Sequence, residues 1–492
     1  MPRHPSRSTP FALIGAGAIL LSALTLAAPP ALARQQQADV SWCSLSDNLT
    51  SNQRIDGCSA ILARKKATIT ARVAAYVLRG KAYAERREYT TAIDDFSAAL
   101  KLVGNNAMAL RERGEAYFSI GDTQHAIADY TTSLRIEQDL NGYLGRGVIY
   151  LQIKETDKAI ADFSEMIRIK PSDPIGYVNR GEARRRKGEV ERAIADFDQA
   201  IALDPKDAAS WFNRGIAHSD NGDPDRAIAD YTRAIQLNPT DPWYYNNRGN
   251  SFIDKKEADR AMADYNKALM LDSRFALAYF NRGTAYRDRG DDVHALADLN
   301  ESIRLDPSYA PAFGNRARLY RDKGDTRRAF DDFAAAIKLN PRAHKDYYAR
   351  AGMYFDNKDF AHALEDYNAA VRYGPDDAKA LNGRCLTRAI LGEARQALDD
   401  CERALKLEPQ SAYAIDSRGF CHLRLGEFDA AIADFTSALA VVPKLADSLY
   451  GRGIARRKQG HADDARADIE AAEAIDAHIA SQYASYGVDK AD

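Results

Sequence analysis

The chain has 492 residues, with 68 Lys+Arg against 70 Asp+Glu and a formal net charge of −2. That balance excludes the strongly basic surface needed to neutralise many phosphates, and with it nucleic acid as the main partner. With 45% hydrophobic and 28% charged residues, 30 Gly and 17 Pro, the composition excludes a disordered or collagen-like chain and is that of a folded, water-soluble protein. Residues 1–33 read as a secretory signal peptide. Arg3 and Arg7 precede an apolar run from Phe11 to Ala28, and Ala31-Leu32-Ala33 supplies the small-x-small pattern for cleavage. An uncleaved anchor is the alternative, since about 18 apolar residues approach the lower limit for spanning a bilayer. Export to a bacterial periplasm is expected, with no stable membrane insertion after cleavage.

After a short segment, residues 34–72, one period of 34 residues governs the chain. An arginine recurs as Arg79, Arg113, Arg146, Arg180, Arg214, Arg248, Arg282, Arg316, Arg350, Arg384, Arg418 and Arg452, every step being 34 except one of 33. Thirteen residues after each stands an alanine, from Ala92 to Ala465, and four further on an aromatic in nine of the twelve copies, such as Phe96, Tyr130, Phe197 and Phe435. Numbering each copy so that its Arg is residue 7, position 8 is Gly in nine copies and Ala317, Ala351 and Cys385 in the others, and eight copies close on proline, as at Pro171 and Pro205. This pattern resembles the tetratricopeptide repeat. The resemblance covers residues 73–479 and implies an all-α, right-handed α-solenoid of about twelve helical hairpins, with residues 34–72 as an N-terminal cap and 480–492 as a C-terminal tail. Hydrophobic periodicity agrees. In the unit from Trp211 to Pro239 apolar residues recur at helical spacing, break at Asn221-Gly222-Asp223-Pro224 and resume at Ala227, Ile228, Tyr231 and Ile235. Acids at position 16, as at Asp122, Asp223, Asp291, Asp325 and Asp359, are placed to cap the second helix of each hairpin.

Position 23 is aspartate in all twelve copies, from Asp95 through Asp230 to Asp468. In a hairpin turning near position 15 it lies level with the arginine at position 7, which predicts a repeated internal ion pair, as between Arg214 and Asp230. Position 6 is more selective. Five consecutive repeats carry Asn179, Asn213, Asn247, Asn281 and Asn315. The resemblance implies that this position of the first helix points into the groove that binds extended peptides. An amide both donates and accepts, so it can hold peptide backbone whatever the sequence. Five rungs at roughly 10 Å span about 40 Å, room for about 12 extended residues. Two helical turns on, position 13 is aspartate in Asp220, Asp254, Asp288, Asp322 and Asp356, on the same face. Trp243, at position 2 of the sixth repeat, is a candidate anchor, with packing against the neighbouring hairpin as the alternative. Hydrated asparagines that merely spell this lineage's repeat are the bland alternative for the stripe.

Cys43 and Cys58 lie 15 apart, and Cys385 and Cys401 lie 16 apart at positions 8 and 24 of the tenth repeat. Both spacings cross a helical hairpin, and Cys58-Ser59-Ala60-Ile61 aligns in register with Cys401-Glu402-Arg403-Ala404, so disulfides 43–58 and 385–401 are expected in an oxidising compartment. Metal binding is the weaker reading. Cys421 is left over as a small buried hydrophobe. The histidines, including His218, His294, His344 and His422, are scattered, and no phosphate-binding glycine loop occurs after residue 33. The expectation is a non-enzymatic scaffold with no cofactor and no metal, binding a protein or peptide tail of some basic character. The alternative is an assembly factor that oligomerises through its convex face.

Overall fold

The computed structural model describes residues 41–44, 46 and 48–488. The signal peptide expected over 1–33 lies outside them. The chain divides into two compact units, Met1–Asp264 and Tyr265–Asp492. Among the described residues 26 α-helices follow one another and no strand occurs. The helices up to the sixth repeat's first are α1 (Ser51–Ala63), α2 (Ile69–Glu85), α3 (Tyr89–Leu102), α4 (Ala107–Ser119), α5 (Thr123–Ile136), α6 (Leu140–Gln152), α7 (Thr156–Ile169), α8 (Pro174–Lys187), α9 (Val190–Leu203), α10 (Ala208–Asp220), α11 (Pro224–Leu237) and α12 (Pro242–Asp254). Then come α13 (Ala258–Leu271), α14 (Ala276–Asp288), α15 (Asp292–Leu305), α16 (Ala310–Asp322), α17 (Thr326–Leu339), α18 (His344–Asp356) and α19 (Phe360–Tyr373). The last are α20 (Ala378–Ile390), α21 (Ala394–Leu407), α22 (Ala412–Leu425), α23 (Phe428–Val441), α24 (Ala446–Lys458), α25 (Ala462–Ile475) and α26 (Ile479–Ser485). Even-numbered helices from α2 to α24 are the first helices of the twelve repeats.

Each hairpin is made by three local devices. The turn passes through a left-handed residue at position 15, glycine at Gly222 (φ 76°) and Gly324 (φ 76°) but lysine at Lys256 (φ 62°) and Lys358 (φ 60°). Only glycine takes that conformation without strain. The expected caps form: Asp223 accepts from the Arg226 backbone N–H and Asp325 from that of Arg328, both at 3.1 Å, satisfying a donor that the helix leaves unpaired. Close approach is set by position 8. A methyl group on Gly215 would stand 2.7 Å from the Tyr231 ring, and one on Gly147 2.5 Å from Phe163, so glycine there admits the position-24 ring between the two helices.

Within each unit successive hairpins stack and bury the alanines at position 20, Ala92, Ala227 and Ala363 among them, and the position-24 rings Phe96, Phe163, Phe197 and Phe333. One hairpin alone has no partner for these faces, which is why neighbours must stack. The cap helix α1 packs on α2. It starts at Thr50, whose side chain and that of Gln53 form a reciprocal capping box.

Candidate peptide-binding face

The twelve arginines and twelve aspartates meet as bidentate pairs. Arg214 donates from Nε and Nη2 to the two carboxylate oxygens of Asp230 at 2.9 and 2.7 Å, and the same geometry runs from Arg79 with Asp95 to Arg452 with Asp468. The aspartates are buried, Asp230 to 4% exposure. Their role is structural, and in ten of the twelve repeats the arginine makes a third contact. Its remaining nitrogen reaches a polar side chain at position 25 of the preceding repeat: Arg113 to Ser97, Arg146 to Thr131, Arg214 to Asp198 and Arg316 to Asn300. One guanidinium thus fastens its own hairpin and the one before it. At the start of the stack Arg79 makes this bond to Ser59 in α1 at 2.9 Å, so the cap presents the residue that a preceding repeat would. The signal for this contact in the sequence is the run of Ser, Thr, Asn and Asp at position 25.

The asparagine stripe divides by exposure. In the first unit Asn179 is 2% exposed; its Nδ2 donates to the Ile175 carbonyl at 2.8 Å and its Oδ1 is buried without a hydrogen-bond partner among the described residues. Asn213 and Asn247 are half-buried, and Asn247 donates to the Trp243 carbonyl at 2.9 Å. In the second unit Asn281 is 6% exposed, whereas Asn315 is half-buried and donates to Thr284 Oγ1 at 2.9 Å. Burial therefore removes Asn179 and Asn281 from the accessible stripe expected from the sequence. Their neighbours cover them, which spacing alone does not report. An amide whose donor is engaged keeps its carbonyl as an acceptor, so Asn247 and Asn315 are suited to receiving backbone N–H groups.

The aspartates at position 13 are already partnered in most cases. Asp220 accepts from Arg185 of the preceding repeat at 2.7 Å, and Arg185 also binds Glu182 at 2.8 Å. Burial opposes the charge on Arg185, but hydrogen bonds and charges from Glu182 and Asp220 outweigh it and hold the guanidinium above its ordinary range. Asp288 and Asp322 are exposed and pair with adjacent Arg287 and Arg321 at 2.7 and 2.8 Å; Asp254 is exposed. Surface pairs of this kind contribute about 0–1 kcal/mol, so an incoming cation can replace the arginine at Asp288 and Asp322, whereas at Asp220 it would have to displace a buried one. Trp243 is partly buried and packs against the core cluster that contains Phe212, Tyr231 and Tyr244, in line with the packing alternative for that residue.

The family model described as Tetratricopeptide repeat matches residues 77–141, 178–242, 315–378, 354–412 and 422–478, more than half of the chain. A TPR repeat model matches 249–287, and a further tetratricopeptide repeat model 140–173 and 276–309. The chain belongs to the tetratricopeptide repeat family. A tetratricopeptide repeat protein of Parabacteroides merdae is 20% identical, with a TM-score of 0.43 over 48% of this chain and 93% of that one. The Cut9–Hcn1 structure of the APC/C is 13% identical, with a TM-score of 0.40 over 85% and 96%. YrrB, described as a tetratricopeptide repeat protein with an unusual peptide-binding site, is 22% identical, with a TM-score of 0.31 over 38% and 97%. No curated protein matches the chain. The tetratricopeptide repeat fold is in general a scaffold for protein–protein interaction. Among the described residues no helix is long and apolar enough to cross a membrane.

In the tenth repeat a disulfide replaces the packing between position 8 and position 24 that is usual in these tetratricopeptide hairpins, and a second disulfide lies in the cap. Cys385 and Cys401 occupy those positions, with Cα atoms 5.5 Å apart, and Cys43 pairs with Cys58 in the cap. Cys421 lies with its sulfur 3.5 Å from that of Cys385, and the three sulfurs are within 4.8 Å of one another. Two of them are joined, which leaves one thiol. Burial pushes the Cys421 thiol up to about 12, so little thiolate exists at neutral pH. Iodoacetamide is accordingly expected to spare Cys421 in the native chain and to modify it fully in guanidinium. Mass spectrometry without reduction checks both the labelling and the two bridges; labelling of the native chain would show that the thiol is accessible.

Proposed function

We propose that the chain is a non-enzymatic scaffold of a bacterial periplasm that holds an extended peptide or protein tail on the face formed by its first helices. The observation that supports this most directly is the half-exposed pair Asn213 and Asn247, equivalent positions of successive repeats in the first unit. Asn315, with the exposed carboxylates Asp288 and Asp322, provides the same chemistry in the second unit. Amides would hold the backbone, and the replaceable surface carboxylates favour lysine or arginine in the ligand. The Arg–Asp pairs hold these helices in place without contributing net charge. The apolar run before Ala33 and the two disulfides support an exported, oxidising location.

Random 12-residue peptides displayed on phage and selected on the wild-type chain are expected to lose about tenfold in affinity for the Asn213→Ala/Asn247→Ala variant, the ~1.4 kcal/mol of one or two hydrogen bonds. Thermal unfolding should be unchanged, because neither amide lies in the clamp. Equal affinity for the variant would overturn the assignment.

A further inference from the structure

The C-terminal residues do not continue the stack. Placed 34 residues after Arg452, Tyr486 occupies the register position of a thirteenth arginine. A first helix continuing the stack would touch mainly its neighbouring repeat. Instead the ring of Tyr486 lies 6.1 Å from that of Phe355 and 5.9 Å from that of Phe360, both in the ninth repeat, and 5.8 Å from Phe420 in the eleventh. One turn earlier Tyr483 is 1% exposed, packs edge-on against Phe420 at 5.7 Å and donates its hydroxyl to the Asp447 carbonyl at 2.8 Å. Gln482 donates to the Asp447 carboxylate at 2.8 Å. Arg424 donates to the backbone carbonyls of Tyr486 and Gly487 at 3.3 and 2.8 Å.

Phe355, Phe420, Arg424 and Asp447 lie on first helices, and Phe360 opens the second helix of the ninth repeat. Arg424 is at position 13 of its repeat, where the fifth to eighth repeats carry Asp220, Asp254, Asp288 and Asp322; Phe420 is at position 9 and Asp447 at position 2. The segment covers the last hairpin, where the Tyr483 ring lies 4.9 Å from that of Tyr450, and it also reaches beyond it. This segment spans from the twelfth repeat back to the ninth, and it is held the way a peptide is held, by a guanidinium on main-chain carbonyls and by two aromatic side chains three residues apart.

We propose that the first-helix face of repeats nine to twelve is a binding site for tyrosine-bearing peptide segments, occupied in cis by residues 479–488 and open to a competing segment in which two aromatic residues stand three apart. The site is separate from the asparagine face and does not depend on the function assigned to it. Tethering gives the cis segment a local concentration on the order of millimolar, so the wild-type chain presents the site mostly filled.

A fluorescein-labelled synthetic peptide with the sequence of residues 476–492 is the probe, read by anisotropy on full-length chains. Tyr486→Ala removes the cis segment's anchor and leaves the face intact; it should bind the peptide at least about tenfold more tightly than wild type. Adding Arg424→Ala should abolish the gain, and a peptide with its second tyrosine replaced by alanine should not bind. Where Tyr486→Ala lowers helicity, a protease site inserted between Ala477 and His478, both exposed, releases the segment after folding, and the cut chain should take up the labelled peptide. Equal binding to wild-type and freed chains, no binding to a freed and folded chain, or binding indifferent to Arg424→Ala would each overturn the proposal.

Discussion

Asp230→Ala is expected to destabilise the fifth hairpin by about 3 kcal/mol, the cost of leaving one member of a buried ion pair unpaired. Asp230 receives two hydrogen bonds from Arg214, and His218 stands 3.8 Å away. Without the carboxylate, the half-buried guanidinium keeps the Trp211 ring, 4.8 Å away, and one carboxylate, Asp198, whose side chain is 48% exposed. Removing Asp198 instead should cost under about 1 kcal/mol, as for other exposed pairs. The pair's worth lies in being complete. Arg214→Met combined with Asp230→Leu removes both charges at similar volume, and should therefore cost less than Asp230→Ala alone. Because stability in a stacked array is a sum of hairpin and neighbour terms, the single variant should also broaden the urea transition. Urea unfolding followed by circular dichroism measures all of this. A midpoint unchanged in Asp230→Ala would show that the clamp is dispensable.

What the sequence makes legible is whatever the 34-residue register fixes. Position 7 lies level with position 23, so the Arg–Asp pairing can be read from spacing alone. The aspartate caps follow from turn chemistry, the 385–401 disulfide from the way positions 8 and 24 meet, and the 43–58 disulfide from the likeness of Cys58-Ser59-Ala60-Ile61 to Cys401-Glu402-Arg403-Ala404. Features that depend on what lies beside a residue cannot be read in this way. Asn179, Asn213 and Asn247 are identical in register, yet only the first is sealed, with its amide turned onto the Ile175 carbonyl. The charge of Asp220 is cancelled by Arg185, at position 12 of the preceding repeat; the arginines at that position in later repeats, Arg287 and Arg321, turn to the adjacent aspartates of their own helices instead, so position alone does not give the partner. The C-terminal segment is opaque for the opposite reason. It leaves the register, and its only traces in sequence are Tyr483 and Tyr486 three residues apart and an arginine, Arg424, at a position where the middle repeats carry aspartate.

The C-terminal segment should also respond to pH, through Asp416. This side chain is buried in α22 beside Asp447 and Ser448 of α24; burial first, then the Asp447 charge, pushes its carboxyl above the ordinary carboxylate range, against the opposing effect of the hydroxyl that Ser448 donates. Asp447 is raised as well, by burial and then by Asp476. The phenols of Tyr483 and Tyr486 are themselves pushed upward by burial and stay neutral. A carboxyl with a raised folded-state pKa binds its proton more tightly folded than unfolded. Its contribution is therefore fully present below the unfolded value of about 4 and is lost as pH rises through the folded one. Every tenfold by which folding tightens the hold on that proton contributes about 1.4 kcal/mol. Wild-type stability in this region should fall between mildly acidic and alkaline pH, and Asp416→Asn should flatten that slope, making the variant the more stable form at pH 9. Hydrogen exchange of residues 479–485 reads it locally, and an equal slope in the variant would exclude Asp416 as the source. Ionisation and departure of the segment are linked, because both carboxyls adjoin it. On the Tyr486→Ala chain, whose site is open, the labelled C-terminal peptide meets the same carboxyls and should bind more weakly at pH 9 than at pH 6, and adding Asp416→Asn should lessen that difference.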